Sequence, residues 1–160
     1  MTRSSLWRPA SQHEGLALTG LERDANLAGP GHVFAAPFPE DDVLARWSIV
    51  LADPDVRVDV VDGPDGLRAV AAYDAASLRQ LFVRPESWGR GLGSAGVRRA
   101  VDAIGTGATL WVLGDNERAR RLYEHLGWVP TGESQDSVWP PHPVELAYHW
   151  TGTTMRFLST

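Results

Sequence analysis

Four glycines fall within eight residues of this chain, at Gly89, Gly91, Gly93 and Gly96, just downstream of a short apolar run, Leu78 to Val83. Pro85 cannot donate to a central ladder, so a strand over that run has to stop there. Glycine tolerates positive φ and lets a ligand approach the main chain, so turns spaced in this way can aim several N–H groups at one point. A helix beginning after the glycines adds its own unpaired N–H groups and the positive end of its dipole. Strand, glycine turn and helix entry together predict an anion site of the kind that holds a pyrophosphate.

Three glycine-loop chemistries compete for the stretch. A nucleotide P-loop requires a lysine after its second glycine, and the chain contains no lysine at all. A dinucleotide site requires G-x-G-x-x-G, which Gly91, Gly93 and Gly96 supply, with Asp115 about 20 residues on to hold a ribose. Such a fingerprint normally opens a fold, whereas here it follows an apparent hairpin. The third reading uses more of the chain. VRPESWGRGLG, followed some twenty residues later by LWVLGDNERARRLYEHLGW, resembles the GCN5-related N-acetyltransferases over about residues 56 to 133.

In that family a strand ending in V-x-P leads into a glycine loop that binds acyl-coenzyme A, and a second strand leads into an asparagine and tyrosine on a helix. The resemblance implies a single-domain α/β fold over residues 1–150. Its mixed, mostly antiparallel central sheet would be flanked by about four helices and splayed at the cofactor site, with a tail over 151–160. It implies that the main chain of Leu81, Phe82 and Val83 pairs with the pantetheine arm of acetyl-coenzyme A. Gly89, Arg90, Gly91, Leu92, Gly93 and Ser94 would hold the pyrophosphate. Tyr123 matches the tyrosine that protonates the leaving thiolate, and Asn116 the residue that hydrogen-bonds the cofactor arm; both are implied catalytic and cofactor-binding residues. A phenol with pKa near 10 can donate such a proton. Trp88 departs from the family pattern, which usually has Gln or Arg at that position.

The implied acceptor is a small-molecule or protein amine attacked directly, since a chain with no cysteine offers no thiol for a covalent acyl intermediate and the missing lysines remove Schiff-base chemistry. Deprotonating a lysine-like amine at neutral pH costs about 4–5 kcal/mol. Relatives often place a glutamate on one of the two strands. This chain has Leu78 and Arg79 near the first position and Trp111 at the second, so a base falls to His142, Glu145, Asp115 or a water chain, unless the amine arrives already neutral. Trp139, His142 and Glu145, around the last loop, are the candidate acceptor-binding residues. No metal-binding spacing is expected among them.

Composition narrows the partners. A net charge of −5 argues against nucleic acid. Within residues 84 to 121, seven arginines face four carboxylates, a local +3 that leaves −8 on the remainder. A basic island on an acidic body suits a phosphorylated cofactor beside a surface that attracts a cationic amine. With no run of 18 apolar residues and no basic-then-apolar leader pattern, a cytoplasmic protein without membrane contact is expected. A homodimer is compatible with the resemblance. Two alternatives remain open at this point: an acyl-coenzyme A-binding domain without turnover, and an NAD(P)-binding enzyme.

The scaffold reads in order. A short strand is expected around Leu6 to Pro9. A helix should run from Gln12 to about Leu27, ended by Gly29, Pro30 and Gly31. Asp41 or Asp42 should cap a second helix with Val43, Leu44, Trp47, Val50 and Leu51 on one stripe. Val56–Asp62 and Leu67–Asp74 flank the turn Gly63 to Gly66 as a hairpin. After the glycine run, Val97, Ala100, Val101 and Ile104 form the inner face of a helix that Gly105 and Gly107 stop. Thr109–Leu113 is a strand. Asn116–Leu126 is an amphipathic helix carrying Ala119, Leu122, Tyr123 and Leu126, with Gly127 as its terminator. Trp128–Glu133 and Val144–Trp150 are the closing strands.

Overall fold

The computed structural model describes residues 6–29 and 37–152. Pro30, Gly31 and most of the expected tail lie outside the described residues. The described elements are β1 (Trp7–Pro9), α1 (Gly15–Ala28), α2 (Glu40–Ala52), β2 (Arg57–Gly63), β3 (Gly66–Tyr73), β4 (Leu78–Val83), α3 (Leu92–Ile104), β5 (Thr109–Leu113), α4 (Glu117–His125), β6 (Trp128–Asp136) and β7 (Val144–Trp150).

The strands hydrogen-bond as two antiparallel sheets, ordered β1-β2-β3-β4 and β5-β7-β6. They meet where Ser77 and Thr109 form one parallel bridge, tied by the Thr109 N–H donating to the Ala76 carbonyl at 3.0 Å. Beyond that bridge β4 and β5 part. The sheet is therefore mixed at a single point and splayed from there on, leaving the outer edge of β4 open. Sequence patterning foretells each strand but not this division, because periodicity reports which face is buried and not which edges pair.

Helices α1 and α2 cover one face of the first sheet. Leu18, Leu21, Val43, Trp47 and Val50 pack there against Val58, Val60, Val70 and Ala72. Each such fully buried side chain contributes roughly 1.5–3 kcal/mol. The opposite face takes α3, with Val97, Ala100 and Val101 against Ala71, Tyr73 and Leu78. The same cluster runs on through Leu110, Val112, Tyr123, Trp128 and Tyr148, so α4 and the second sheet share its core. Helix α3 sits very close to β4: a Cβ at Gly96 would come within 2.7 Å of Leu81 Cδ1. The fourth glycine of the run thus serves helix–strand packing.

Local chemistry departs from expectation in two helix starts and one strand. Helix α2 begins at Glu40 with Pro39 at its cap, so Asp41 and Asp42 lie in the first turn and favour the helix dipole instead of capping it. Glu14 precedes α1 without capping it; its carboxylate is held by Arg8 and the Ser11 N–H. Strand β6 runs on to Asp136, past an irregularity between Pro130 and Ser134 that the proline and Gly132 concealed in the sequence.

Candidate active site

The glycine run begins as foreseen and ends as a built helix entry. Pro85–Ser87 form a short 3₁₀ turn, after which Gly89 takes φ 78° and Gly91 takes φ 82°, ψ 4° as the N-cap of α3. A Cβ at either glycine would meet nothing within 4 Å, so the space beside both backbones is open. The Ala95 N–H closes the first helical bond onto the Gly91 carbonyl. By helix geometry the N–H groups of Leu92, Gly93 and Ser94 then lack intrahelical acceptors, and no side chain caps this helix.

The open edge of β4 leads into that helix entry. The Arg84 N–H donates to the Arg68 carbonyl at 2.8 Å, and the ladder continues in register as Ala69 with Val83, Val70 with Phe82 and Ala71 with Leu81. Antiparallel bonding alternates, so Phe82 turns its main chain to Val70 while Leu81 and Val83 turn theirs outward. The Val83 carbonyl is taken by the Trp88 indole N–H at 2.8 Å. That leaves the Leu81 N–H and C=O and the Val83 N–H for a ligand. The side-chain pattern does not distinguish the three residues; register separates them, and Phe82 contributes its ring to the α1–α2 side instead.

These surfaces bound a cleft of about 590 Å³. Leu81, Phe82, Val83, Gly89, Gly91, Leu92, Gly93, Ser94, Asn116 and Tyr123 all line it. Arg90 is exposed and is not among the lining residues. The cleft also takes in residues not singled out from the sequence. Ala25, Asn26 and Gly29 come from the end of α1, and Arg118, Arg121, Leu122 and His125 form a stripe along α4. The arginine-rich balance of this region was the signal for that stripe. No carboxylate is among the described lining residues, and the charged groups present are cationic.

Asn116 Oδ1 accepts from the Ala119 N–H at 3.2 Å, so the side chain caps α4 while bordering the cleft. Tyr123 is buried, with its ring 6.1 Å from Trp128 and 6.4 Å from Tyr148. Burial pushes its phenol pKa well up, which keeps it a proton donor at neutral pH. Beside it Tyr148 donates to Glu124 Oε2 at 2.6 Å and accepts from Arg120 Nε at 3.1 Å, a network that fixes α4 on β7.

The residues named for the acceptor and the base sit elsewhere. Trp139 packs against the α1–α2 core, His142 Nδ1 is 2.9 Å from the Ser137 carbonyl oxygen at φ 63°, and Glu145 accepts from Gln135 at 3.0 Å. None of these three lines the cleft, and neither does Asp115, the acid a dinucleotide site would use. No group of three or more metal-ligating side chains is found among the described residues.

A split antiparallel sheet whose free strand edge runs into an uncapped glycine helix entry defines a class of α/β domain with unpaired main-chain groups along one cleft. The family model described as the acetyltransferase (GNAT) family matches residues 3–128, and the chain belongs to that family. A mycothiol acetyltransferase of Beutenbergia cavernae is 35% identical over 128 residues, covering 70% of this chain and 43% of that protein. The chain spans less than half the length of the curated relatives it matches. Among solved structures, apo-form YjaB from Escherichia coli superposes with a TM-score of 0.73 at 20% identity, covering 92% of this chain and 97% of that one. The PaiA N-acetyltransferase of Thermoplasma acidophilum, in complex with coenzyme A, gives 0.62 at 12% identity, covering 90% and 98%. These likenesses bear out the fold expected from the paired motifs.

Proposed function

We propose that this chain is an N-acetyltransferase that moves an acetyl group from acetyl-coenzyme A to a primary amine by direct attack. The observation that carries the reading is the continuity of the open β4 edge with the unpaired N–H groups of α3. The Leu81 and Val83 main chain can pair with an amide-bearing arm as an added strand does. Leu92, Gly93 and Ser94 then offer N–H groups to a pyrophosphate, with the helix dipole behind them. The open space at the absent Cβ of Gly89 and Gly91 lets phosphates reach that main chain. When bound, the thioester supplies an activated acetyl group.

The remaining steps fall to residues of the chain. Tyr123, buried and protonated, donates its proton to the sulfur as the tetrahedral intermediate collapses. Asn116 orients the arm or a water from the N-terminus of α4. With cationic side chains along the cleft, an amine that arrives neutral, or loses its proton to water, meets less opposition than an ammonium. The acidic remainder of the chain would still draw cationic amines toward the protein.

The related mycothiol acetyltransferase directs the acceptor screen toward small molecules, including mycothiol lacking its acetyl group. Free thiol released from acetyl-coenzyme A, measured across a panel of small amines and lysine peptides, tests the proposal. Amine-dependent release supports it. Tight binding of acetyl-coenzyme A with no release against any amine would leave an acyl-carrier-binding domain in place of an enzyme.

A further inference from the structure

Position 88 is where this chain parts from the motif it otherwise follows, and the structure shows what the tryptophan does. Its indole N–H holds the Val83 carbonyl at 2.8 Å, which fixes the ring at the end of the 3₁₀ turn. The guanidinium carbon of Arg118 lies 4.1 Å from the ring centroid, well within cation–π range. Arg118 is the second residue of α4, across the cleft from the glycine run, and it lines the cleft together with Gly89, Gly91, Gly93 and Ser94. Arg120 is engaged by Gly114 and Tyr148, and Arg121 by Glu117. Among the described residues no carboxylate pairs with Arg118, so its charge faces the cleft without an acid to neutralise it.

We propose that Arg118, held on the face of Trp88, is a phosphate-binding residue, so that α4 supplies to the glycine loop the hydrogen-bond donors that a polar or basic side chain at position 88 would otherwise supply. This rests on the acetyl-coenzyme A reading above and deepens it. The ring is a platform: guanidinium groups stack on aromatic faces while their edges stay free to donate. A guanidinium held over the ring keeps N–H groups free to donate to phosphate oxygens held by Leu92, Gly93 and Ser94. Because Arg118 belongs to the helix that carries Asn116 and Tyr123, phosphate binding would also draw the catalytic helix against the loop. Position 88 thereby acts on the cofactor through Arg118 and is a positioning residue.

The test is a double-substitution cycle read by calorimetric titration of acetyl-coenzyme A. Arg118→Gln and Trp88→Ala should each weaken binding by about tenfold, the range of one exposed charge-assisted contact. The double variant should be no weaker than either single one, because the ring acts only through the arginine. Trp88→Phe, which keeps an aromatic face, should stay within about threefold of the parent. Arg98→Gln, exposed on α3 and outside the cleft, controls for loss of one positive charge and should change nothing. Arg118→Gln removes an exposed side chain, so the free protein should melt at the parent temperature and its affinity remains interpretable even if the tryptophan variants fold poorly. Affinity of Arg118→Gln equal to that of Arg98→Gln, or additive losses in the double variant, would overturn the proposal while leaving the acetyltransferase reading intact. A parent protein that does not bind acetyl-coenzyme A at all would overturn both.

Discussion

Gly91→Val separates the two jobs that the glycine loop performs, backbone conformation and ligand access. Gly91 sits at φ 82°, ψ 4°, where an L side chain costs about 1–2 kcal/mol and a β-branched one is least tolerated. No atom lies within 4 Å of the added Cβ, so there is no steric clash to add to that cost. Gly107, in the turn after α3, offers the matched case: φ is 93° and its Cβ position is equally empty. Each variant should therefore lose about 1–2 kcal/mol, or roughly 2–8 °C in melting temperature for a chain of this size. Only Gly91 borders the cleft, and a valine there projects into the space that phosphates would fill. Calorimetric titration with acetyl-coenzyme A should show a loss of about 100-fold or more for Gly91→Val and parental affinity for Gly107→Val. Equal affinity in the two variants would refute the placement of phosphate at the α3 entry, whatever their melting temperatures.

Tyr123→Phe should lower kcat by about tenfold or more, equivalent to about 1.4 kcal/mol of barrier, with unchanged acetyl-coenzyme A affinity. Among the described residues no protein group bonds its hydroxyl, so the same variant should melt within about 0.5 kcal/mol of the parent, as thermal unfolding would show. Asn116→Ala should cost about 1 kcal/mol through loss of the N-cap of α4, whereas Asn116→Asp keeps the cap and recovers that stability; chemical denaturation of the pair distinguishes capping from any effect on turnover. Hydrogen bonds from Arg8 hold both Glu14 and Asp62 below the usual carboxylate range. Stability gained from lowered carboxylate pKa values is present above about pH 4 and lost as pH falls through the folded values. Arg8→Gln should thus flatten the acid limb of a stability profile measured between about pH 2 and 6.

Much of this molecule could be read from the chain because its signals are local. The apolar stripes of α3 and α4, the hairpin turn from Gly63 to Gly66 and the glycine terminators at Gly105 and Gly127 each encode one element within a few residues, and each element is found. What depends on pairing was not legible. Which β4 residues present a free main chain follows from the register that ties Arg84 to Arg68, and no side-chain pattern reports it. The cap of α2 was misjudged because three consecutive acids, Glu40 to Asp42, all suit a helix N-terminus, and only the backbone distinguishes cap from first turn. Trp139, His142 and Glu145 were grouped by sequence proximity around a loop. Their side chains diverge, Trp139 into the α1–α2 core and Glu145 onto Gln135. Arg118 is legible in the sequence only as one charge of the basic island, and His125 not at all, since residues seven apart on α4 read as solvated charge until the helix is set beside the glycine loop.

Amide hydrogen exchange followed by NMR, with and without acetyl-coenzyme A, tests the cofactor site most directly, because register and helix geometry specify which N–H groups are free. Saturating ligand should protect the amides of Leu81 and Val83 on β4 and of Leu92, Gly93 and Ser94 at the α3 entry. The Phe82 amide, already paired with Val70, should change little. Protection that appears instead around the smaller hollow lined by Pro9, Leu51 and Val56 to Asp59, or only on adding NAD(P)H, would contradict it.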